Sequence, residues 1–161
     1  MNSMLVIGYG NPYRRDDGVG LAVVNGLRAL QGWLLLEEGM DGLEELEGEL
    51  DTLFVQQLTP ELAEIVSRYE EVIFVDAHMG QCPELLREVS LEPAARLPAV
   101  SHHLHPQALL ALAQTLFGKA PRGRLLSIRG HDFDFGTELS LETREGVKGA
   151  VERIWESWHP S

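Results

Sequence analysis

Carboxylate and imidazole side chains, which bind divalent cations and transfer protons, occur at three places that lie far apart in the sequence. An acid at the end of a buried strand is costly without a partner, because desolvation disfavours its charged form, and a cation offsets that cost. Two carboxylate oxygens and one imidazole nitrogen suit Zn²⁺, Ni²⁺ or another divalent first-row ion and leave positions open for substrate or water. The candidate ligands are Asp16 or Asp17, then Asp76, then one of His102, His103 and His105.

Two other kinds of site fit the sequence less well. The stretch GYGNP could begin a phosphate loop, but position 13 is Tyr13 instead of a third glycine, and Asp16 and Asp17 would lie where a phosphate binds. The sequence contains no G-x-S-x-G elbow that would indicate a nucleophilic serine, and Cys82 in GQCPE carries no signature of a catalytic thiol. Two functions therefore stay open for these residues beside a specific processing enzyme. One is a noncatalytic metal- or nucleotide-binding module, and the other is a general metallo-hydrolase of small substrates.

The first half of the chain predicts strands and helices that would position these acids. MLVIGY, residues 4–9, is typical of a strand buried on both faces, and apolar residues from Val19 to Leu30 then recur at helical spacing after Asp16 and Asp17, which are N-cap types. A strand over residues 53–58 precedes a helix with Thr59 as N-cap and Pro60 at its first position. Residues 72–75 form a third strand, which we expect to end at Asp76.

The second half predicts a strand over residues 83–91, an ordered loop over 92–105 and a helix from about Pro106. A strand over 125–128 and a terminal helix with an apolar side follow; that side carries Val147, Val151, Ile154, Trp155 and Trp158. Strands that alternate with helices indicate an α/β fold with an open, mostly parallel sheet and helices on both faces. We therefore expect the site at the carboxyl ends of the strands.

Residues 31–51 allow two interpretations, a strand followed by a short helix or a broken continuation of the first helix. The segment holds eight acidic residues and no Lys or Arg. A solvated acidic face is the ordinary explanation for such a run.

Composition excludes several classes of protein. A chain of 161 residues predicts one domain over residues 1–161, and the net charge of −12 makes nucleic acid and anionic membrane surfaces poor partners. No apolar run approaches the ~20 residues of a membrane span. The single cysteine, Cys82, excludes an intrachain disulfide, so we expect a cytoplasmic protein.

Four sequence blocks resemble, in order, those of the [NiFe]-hydrogenase maturation endopeptidases. They are VIGYGNPYRRDDGVG, VIFVDAH, SHHLHPQALLALA and RGHDFDFGTELS, and together they span nearly the whole chain. The first block, G-x-G-N followed by D-[DE]-G, is the most specific, and the block around Asp134–Gly136 supports it. Residues 31–51 look longer than the usual link between the first helix and the next block in that family. The extra length either helps to select the protein that is processed or is a solvated surface segment.

The resemblance implies a three-layer α/β/α sandwich around a five-stranded sheet in which one strand runs antiparallel. It also implies that the metal-contacting side chains are Asp17, Asp76 and His102. Asp17 is preferred to Asp16 because it directly precedes the glycine of the block, and His102 is preferred to His103 because Ser101, Leu104 and Pro106 stand at the offsets of the family.

The implied reaction is one cut near the C-terminus of a hydrogenase large-subunit precursor after nickel insertion. The nickel would come with the substrate, and it would either polarise the scissile carbonyl or activate a water. We therefore expect a monomer that purifies without stoichiometric metal and binds added Ni²⁺, Zn²⁺ or Cd²⁺ weakly to moderately.

Overall fold

The computed structural model describes residues 3–79, 83–94 and 104–158. Five strands and four α-helices follow in the order β1 (Met4–Tyr9), α1 (Val19–Gln31), β2 (Leu50–Val55), α2 (Leu62–Ser67), β3 (Glu71–His78), β4 (Leu86–Leu91), α3 (Pro106–Phe117), β5 (Arg122–Arg129) and α4 (Leu141–Trp158). Short 3-10 turns occupy Arg15–Gly18 and Leu43–Glu45. No helix in these three ranges is long and apolar enough to cross a membrane.

The five strands form one sheet in the order β2-β1-β3-β5-β4. All neighbouring pairs are parallel except β4 with β5, so the single antiparallel strand lies at an edge. The mostly parallel α/β sheet with one antiparallel strand is therefore confirmed.

Each face of the sheet carries its own apolar core, as expected for a three-layer sandwich. Leu5, Ile7 and Phe74 face α2 and α3. Met4, Val6 and Ile73, which alternate with them, face α1 and α4. The central strands are apolar on both sides because both sides are covered by helices.

The terminal helix packs as its sequence pattern predicts. Ile154 is fully buried, and Val147, Val151, Trp155 and Trp158 pack against the same core. The apolar side of α4 thereby covers the sheet beside α1.

Close packing of α1 on β1 depends on two glycines. A Cβ atom on Gly8 would lie 2.2 Å from the carbonyl oxygen of Gly20, and one on Gly20 would lie 2.5 Å from the backbone nitrogen of Tyr9. Larger residues would push the helix away from the strand. The glycines therefore hold the start of α1, and the turn before it, against the carboxyl end of β1.

The link over residues 32–49 follows neither predicted form, since it contains no strand or α-helix. Helix α1 ends at Gly32 in the left-handed conformation (φ +78°), and only the short turn at Leu43–Glu45 interrupts the link. Asn25 anchors it through two hydrogen bonds with the backbone of Leu36, at 2.8 and 3.2 Å. Most of its acids are exposed, which agrees with a solvated face.

A buried arginine of α1 also anchors the link. Arg28 donates to the carbonyl oxygen of Leu34 at 2.6 Å and to Glu45 at 2.8 Å, and its guanidinium lies 5.4 Å from the centre of the Trp33 ring. The link is therefore held to α1 by side chains instead of by its own secondary structure.

Five elements have predicted bounds that are wrong by two or three residues. Strand β4 begins at Leu86 instead of residue 83, and β5 begins at Arg122 instead of residue 125. The second strand is Leu50–Val55 instead of residues 53–58. Helix α2 begins at Leu62, because Thr59 and Pro60 belong to a preceding turn. Strand β3 continues past Asp76 to His78, since its pairing with β5 extends further than its pairing with β1.

Candidate metal centre

The sheet has its topological switch point between β1 and β3. The chain after β1 runs through α1 to β2 on one side, whereas the chain after β3 proceeds to β4 and β5 on the other side. A crevice therefore opens at the carboxyl ends of β1 and β3. The 3-10 turn Arg15–Gly18 contacts β3 at this edge. This topology brings the acid of the first sequence block beside the acid of the third strand.

Asp76 has one carboxylate oxygen without a partner. Its Oδ2 accepts a hydrogen bond from the Tyr9 hydroxyl at 2.8 Å, whereas its Oδ1 is buried and has no hydrogen-bond partner among the described residues. Burial raises the pKa of Asp76 to about 6; the nearby Asp17 charge adds to the increase, and the Tyr9 hydrogen bond and His105 oppose it. A buried, unpaired carboxylate oxygen is costly unless something positive binds it.

Asp17 is held in place by the loop that follows β1. Its Oδ2 accepts the backbone N–H of Asn11 at 2.7 Å. Gly10 adopts φ +136°, and a Cβ there would lie 2.4 Å from the carbonyl oxygen of Asp17 and 3.4 Å from its carboxyl carbon. The loop can therefore close around Asp17 only because position 10 has no side chain.

Asp16 has a different, structural environment. It is fully buried, and its Oδ2 accepts the backbone N–H groups of His131 and Asp132 at 2.7 and 2.9 Å, while its Oδ1 accepts that of Ser140 at 2.8 Å. The hydroxyls of Ser140 and Thr143 also donate to Oδ2. Burial raises the pKa of Asp16, but these hydrogen bonds outweigh it and lower the pKa to about 2.

The expectation that Asp16 or Asp17 caps the first helix is wrong. The N-cap of α1 is Gly18, with no side-chain cap. Both carboxylates are already engaged, Asp16 with the segment after β5 and Asp17 with Asn11. The structure thus separates the two neighbouring acids, and only Asp17 lies close enough to Asp76 to perturb its pKa.

The predicted histidine ligand, His102, lies outside the described residues, as does His103. His105 is the exposed N-cap residue of α3, and its charge acts on the pKa of Asp76. Helix α3 begins at Pro106, as predicted. The choice among the three histidines stays a prediction.

Other residues considered from the sequence have structural roles or fall outside the described ranges. Both ring nitrogens of His78 are hydrogen-bonded, to Ser127 Oγ at 2.8 Å and to the carbonyl oxygen of Glu84 at 2.9 Å. His131 Nδ1 lies 3.1 Å from Thr143 Oγ1. Cys82, Ser101 and His159 are not among the described residues.

Within residues 3–79, 83–94 and 104–158, no group of three His, Cys, Asp or Glu side chains is assembled for a metal ion. What the structure does assemble is a carboxylate pair, Asp17 and Asp76, in which Asp76 offers a free oxygen. Hard oxygen ligands of this kind bind a divalent cation, and two of them leave room for further ligands from elsewhere. The pair therefore fits a cation that is only partly held by this chain.

Two cavities lie beside the loop that carries Asp17. They measure about 420 and 270 Å³, and Pro12, Tyr13, Leu21 and Glu38 line both. The Tyr13 hydroxyl donates to Glu38 at 2.5 Å. The link over residues 32–49 therefore contacts the loop that follows β1 beside both cavities. A larger cavity of about 630 Å³ lies at the opposite, amino-terminal edge of the sheet, far from the carboxylate pair.

No family model matches the sequence, and no curated protein matches it either. Solved structures do match along nearly its full length. The hydrogenase maturating endopeptidase HybD from E. coli superposes with a TM-score of 0.67 at 18% identity, over 99% of this chain and 93% of its own. The [NiFe] hydrogenase maturation protease HybD from Thermococcus kodakarensis gives 0.65 at 23% identity, over 98% and 99% of the two chains.

A third similar structure, the maturation protease HycI from Thermococcus kodakarensis KOD1, gives a TM-score of 0.67 at 20% identity, over 98% of this chain and 93% of its own. The chain has the fold of the [NiFe] hydrogenase maturation proteases. The fold expected from the four sequence blocks is therefore confirmed, and the carboxylate pair lies at the switch point of that fold.

Sequence reasoning missed two residues of the site, Tyr9 and Asn11. Tyr9 is the last residue of an otherwise apolar strand, and its hydroxyl partner lies 67 positions away on another strand. Asn11 contributes its backbone N–H, which any residue except proline would supply. A tyrosine at the end of a buried strand is the one signal that could have pointed to Tyr9, since buried Tyr hydroxyls need a partner.

Proposed function

We propose that this protein is an endopeptidase that removes a C-terminal peptide from the precursor of a [NiFe] hydrogenase large subunit after nickel insertion. The observation that carries the proposal is the buried Oδ1 of Asp76, which lies near Asp17 and has no partner within residues 3–79, 83–94 and 104–158. The maturation-protease fold over nearly the full chain supports it.

The carboxylate pair would recognise the nickel ion that the substrate carries. Asp17 and Asp76 supply oxygen ligands, and His102 is the imidazole that we propose as the third. An incomplete ligand set on the enzyme is suited to an ion that already has ligands in the precursor, because both proteins then share its coordination. A precursor without nickel would lack the positive charge that the two carboxylates need, so it would bind poorly.

The ion would lie next to the bond that is cut. A nickel ion there is a Lewis acid, which either polarises the scissile carbonyl or lowers the pKa of a bound water. The contribution of this chain is to hold the ion through Asp17 and Asp76 and to bind the polypeptide around it.

Incubation with purified precursor tests the proposal. Nickel-loaded large-subunit precursor should lose a short C-terminal peptide, detected as a mass decrease by intact-protein mass spectrometry, and nickel-free precursor should stay intact. The Asp76→Asn variant is the negative control, and Asp134→Asn, an exposed acid, is the matched positive control. Equal cleavage of both precursor forms would refute nickel recognition, and no cleavage of any candidate precursor would refute the proposed activity.

A further inference from the structure

Tyr9 links the two central strands at the site. It is the last residue of β1, where Gly8 pairs with Val75, so Tyr9 stands directly beside Asp76 in the parallel register. Its ring is partly buried against the core on the α2–α3 face. Its hydroxyl donates to Asp76 Oδ2 at 2.8 Å.

This hydrogen bond makes the two oxygens of Asp76 unequal. Oδ2 is occupied by the Tyr9 hydroxyl, and Oδ1 is buried without a partner in the part of the chain that the structure describes. A tyrosine side chain has only two rotatable bonds before its ring is fixed, so a ring packed in a core holds its hydroxyl in place. A tyrosine hydroxyl is protonated at neutral pH, so it remains a donor to Asp76.

We propose that Tyr9 is a positioning residue that fixes the Asp76 carboxylate so that Oδ1 alone binds a divalent cation. The inference rests on the proposed function only for the identity of that ion as the nickel of a substrate. Binding through one oxygen uses one coordination position instead of two. The position saved is open to a group of the polypeptide that is to be cut.

Removal of the Tyr9 hydroxyl should weaken and alter cation binding without unfolding the protein. Hydrogen-bond partners behind a metal ligand typically contribute 10–100-fold to metal affinity. In Tyr9→Phe the ring and its packing remain, but the carboxylate is free to turn and to bind through both oxygens. We expect an increase of about tenfold in the dissociation constant for Cd²⁺.

The experiment uses the full chain, with Cd²⁺ as the probe and isothermal titration calorimetry as the readout. Tyr13→Phe is the matched control, because its hydroxyl donates to the exposed Glu38 instead of to Asp76. Infrared difference spectra with ¹³C-labelled aspartate report the coordination mode, since the antisymmetric and symmetric carboxylate stretches lie further apart for binding through one oxygen. The labelled band is assigned to Asp76 by its persistence in Asp17→Asn at a Cd²⁺ concentration raised to saturation, because this variant lacks the other carboxylate ligand.

We expect the one-oxygen pattern in the wild type and in Tyr13→Phe, and its loss together with weaker binding in Tyr9→Phe. Unchanged affinity and an unchanged band in Tyr9→Phe would overturn the inference, and so would a wild type that binds no Cd²⁺. If Tyr9→Phe behaves as expected but no precursor is cleaved by the wild type, the proposed function fails and the role of Tyr9 stands.

Discussion

The Asp76→Asn variant tests whether the site needs the negative charge of Asp76, because this substitution removes the charge and should leave the fold intact. The amide is nearly isosteric with the carboxylate and its oxygen can still accept the Tyr9 hydroxyl, so we expect the variant to fold. It cannot supply the negative charge that holds a cation, so we expect loss of Cd²⁺ binding and of precursor cleavage.

The pH dependence of stability gives this prediction a magnitude. The pKa of Asp76 rises from the ordinary value of 3.8 to about 6 in the folded protein, chiefly through burial. Between these values the folded state binds more protons than the unfolded state, so ionisation of Asp76 destabilises the wild type progressively as pH rises from about 4 to 6. At roughly 1.4 kcal/mol for each pKa unit the full effect is about 3 kcal/mol, an upper limit because Asp76 is partly exposed to water.

Urea unfolding followed by tryptophan fluorescence at pH 4, 5, 6, 7 and 8 measures the effect. The difference in unfolding free energy between Asp76→Asn and the wild type should move in favour of the variant by about 1–3 kcal/mol from pH 4 to pH 8. Costs that do not depend on pH, such as an unpaired amide, cancel from this change. A constant difference across the range would refute the raised pKa of Asp76, and full cleavage activity in the variant would remove Asp76 from the site.

Two further predictions concern Asp16 and the three histidines of the predicted ligand segment. Asp16→Asn should lower the unfolding free energy by about 3 kcal/mol, because both oxygens of Asp16 accept backbone N–H donors and either orientation of the amide sets an NH₂ group against one of them; Asp134→Asn in the same segment should change it by less than about 0.5 kcal/mol in urea unfolding. His102→Ala should lose Cd²⁺ binding and cleavage, whereas His103→Ala and His105→Ala should retain most of both. If calorimetry shows the loss of binding in His103→Ala or His105→Ala instead, the assignment of the imidazole ligand to His102 is wrong.

The parts of the fold that the sequence predicts well are those determined by local apolar pattern. β1 matches its predicted bounds because every position from Met4 to Ile7 is buried whichever face it points to. Helix α3 starts where Pro106 indicates, since proline suits the first turn of a helix. The proximity of Asp17 and Asp76 could be expected because parallel strands end at a common edge of the sheet, and their role as metal ligands stays a prediction.

The features that escaped prediction depend on contacts between distant residues. The link after α1 takes its shape from Asn25 and Arg28, whose partners are backbone groups and acids that no periodicity reveals. Asp16 looks like a helix cap to any local rule, but its hydrogen-bond donors lie 115–127 positions away. Strand β3 ends two residues beyond the predicted Asp76 because β5 continues to pair with it as far as His78.

The long separation between Asp16 and its donors also determines when the site can form during synthesis. A ribosome that adds about 5–20 residues per second needs roughly 6–25 s to make the 115–127 residues that separate Asp16 from its partners. Until then the turn that carries Asp17 has no anchor on the segment after β5. We therefore expect a nascent chain to be unable to bind a cation at this edge until the segment that holds Asp16 has been made.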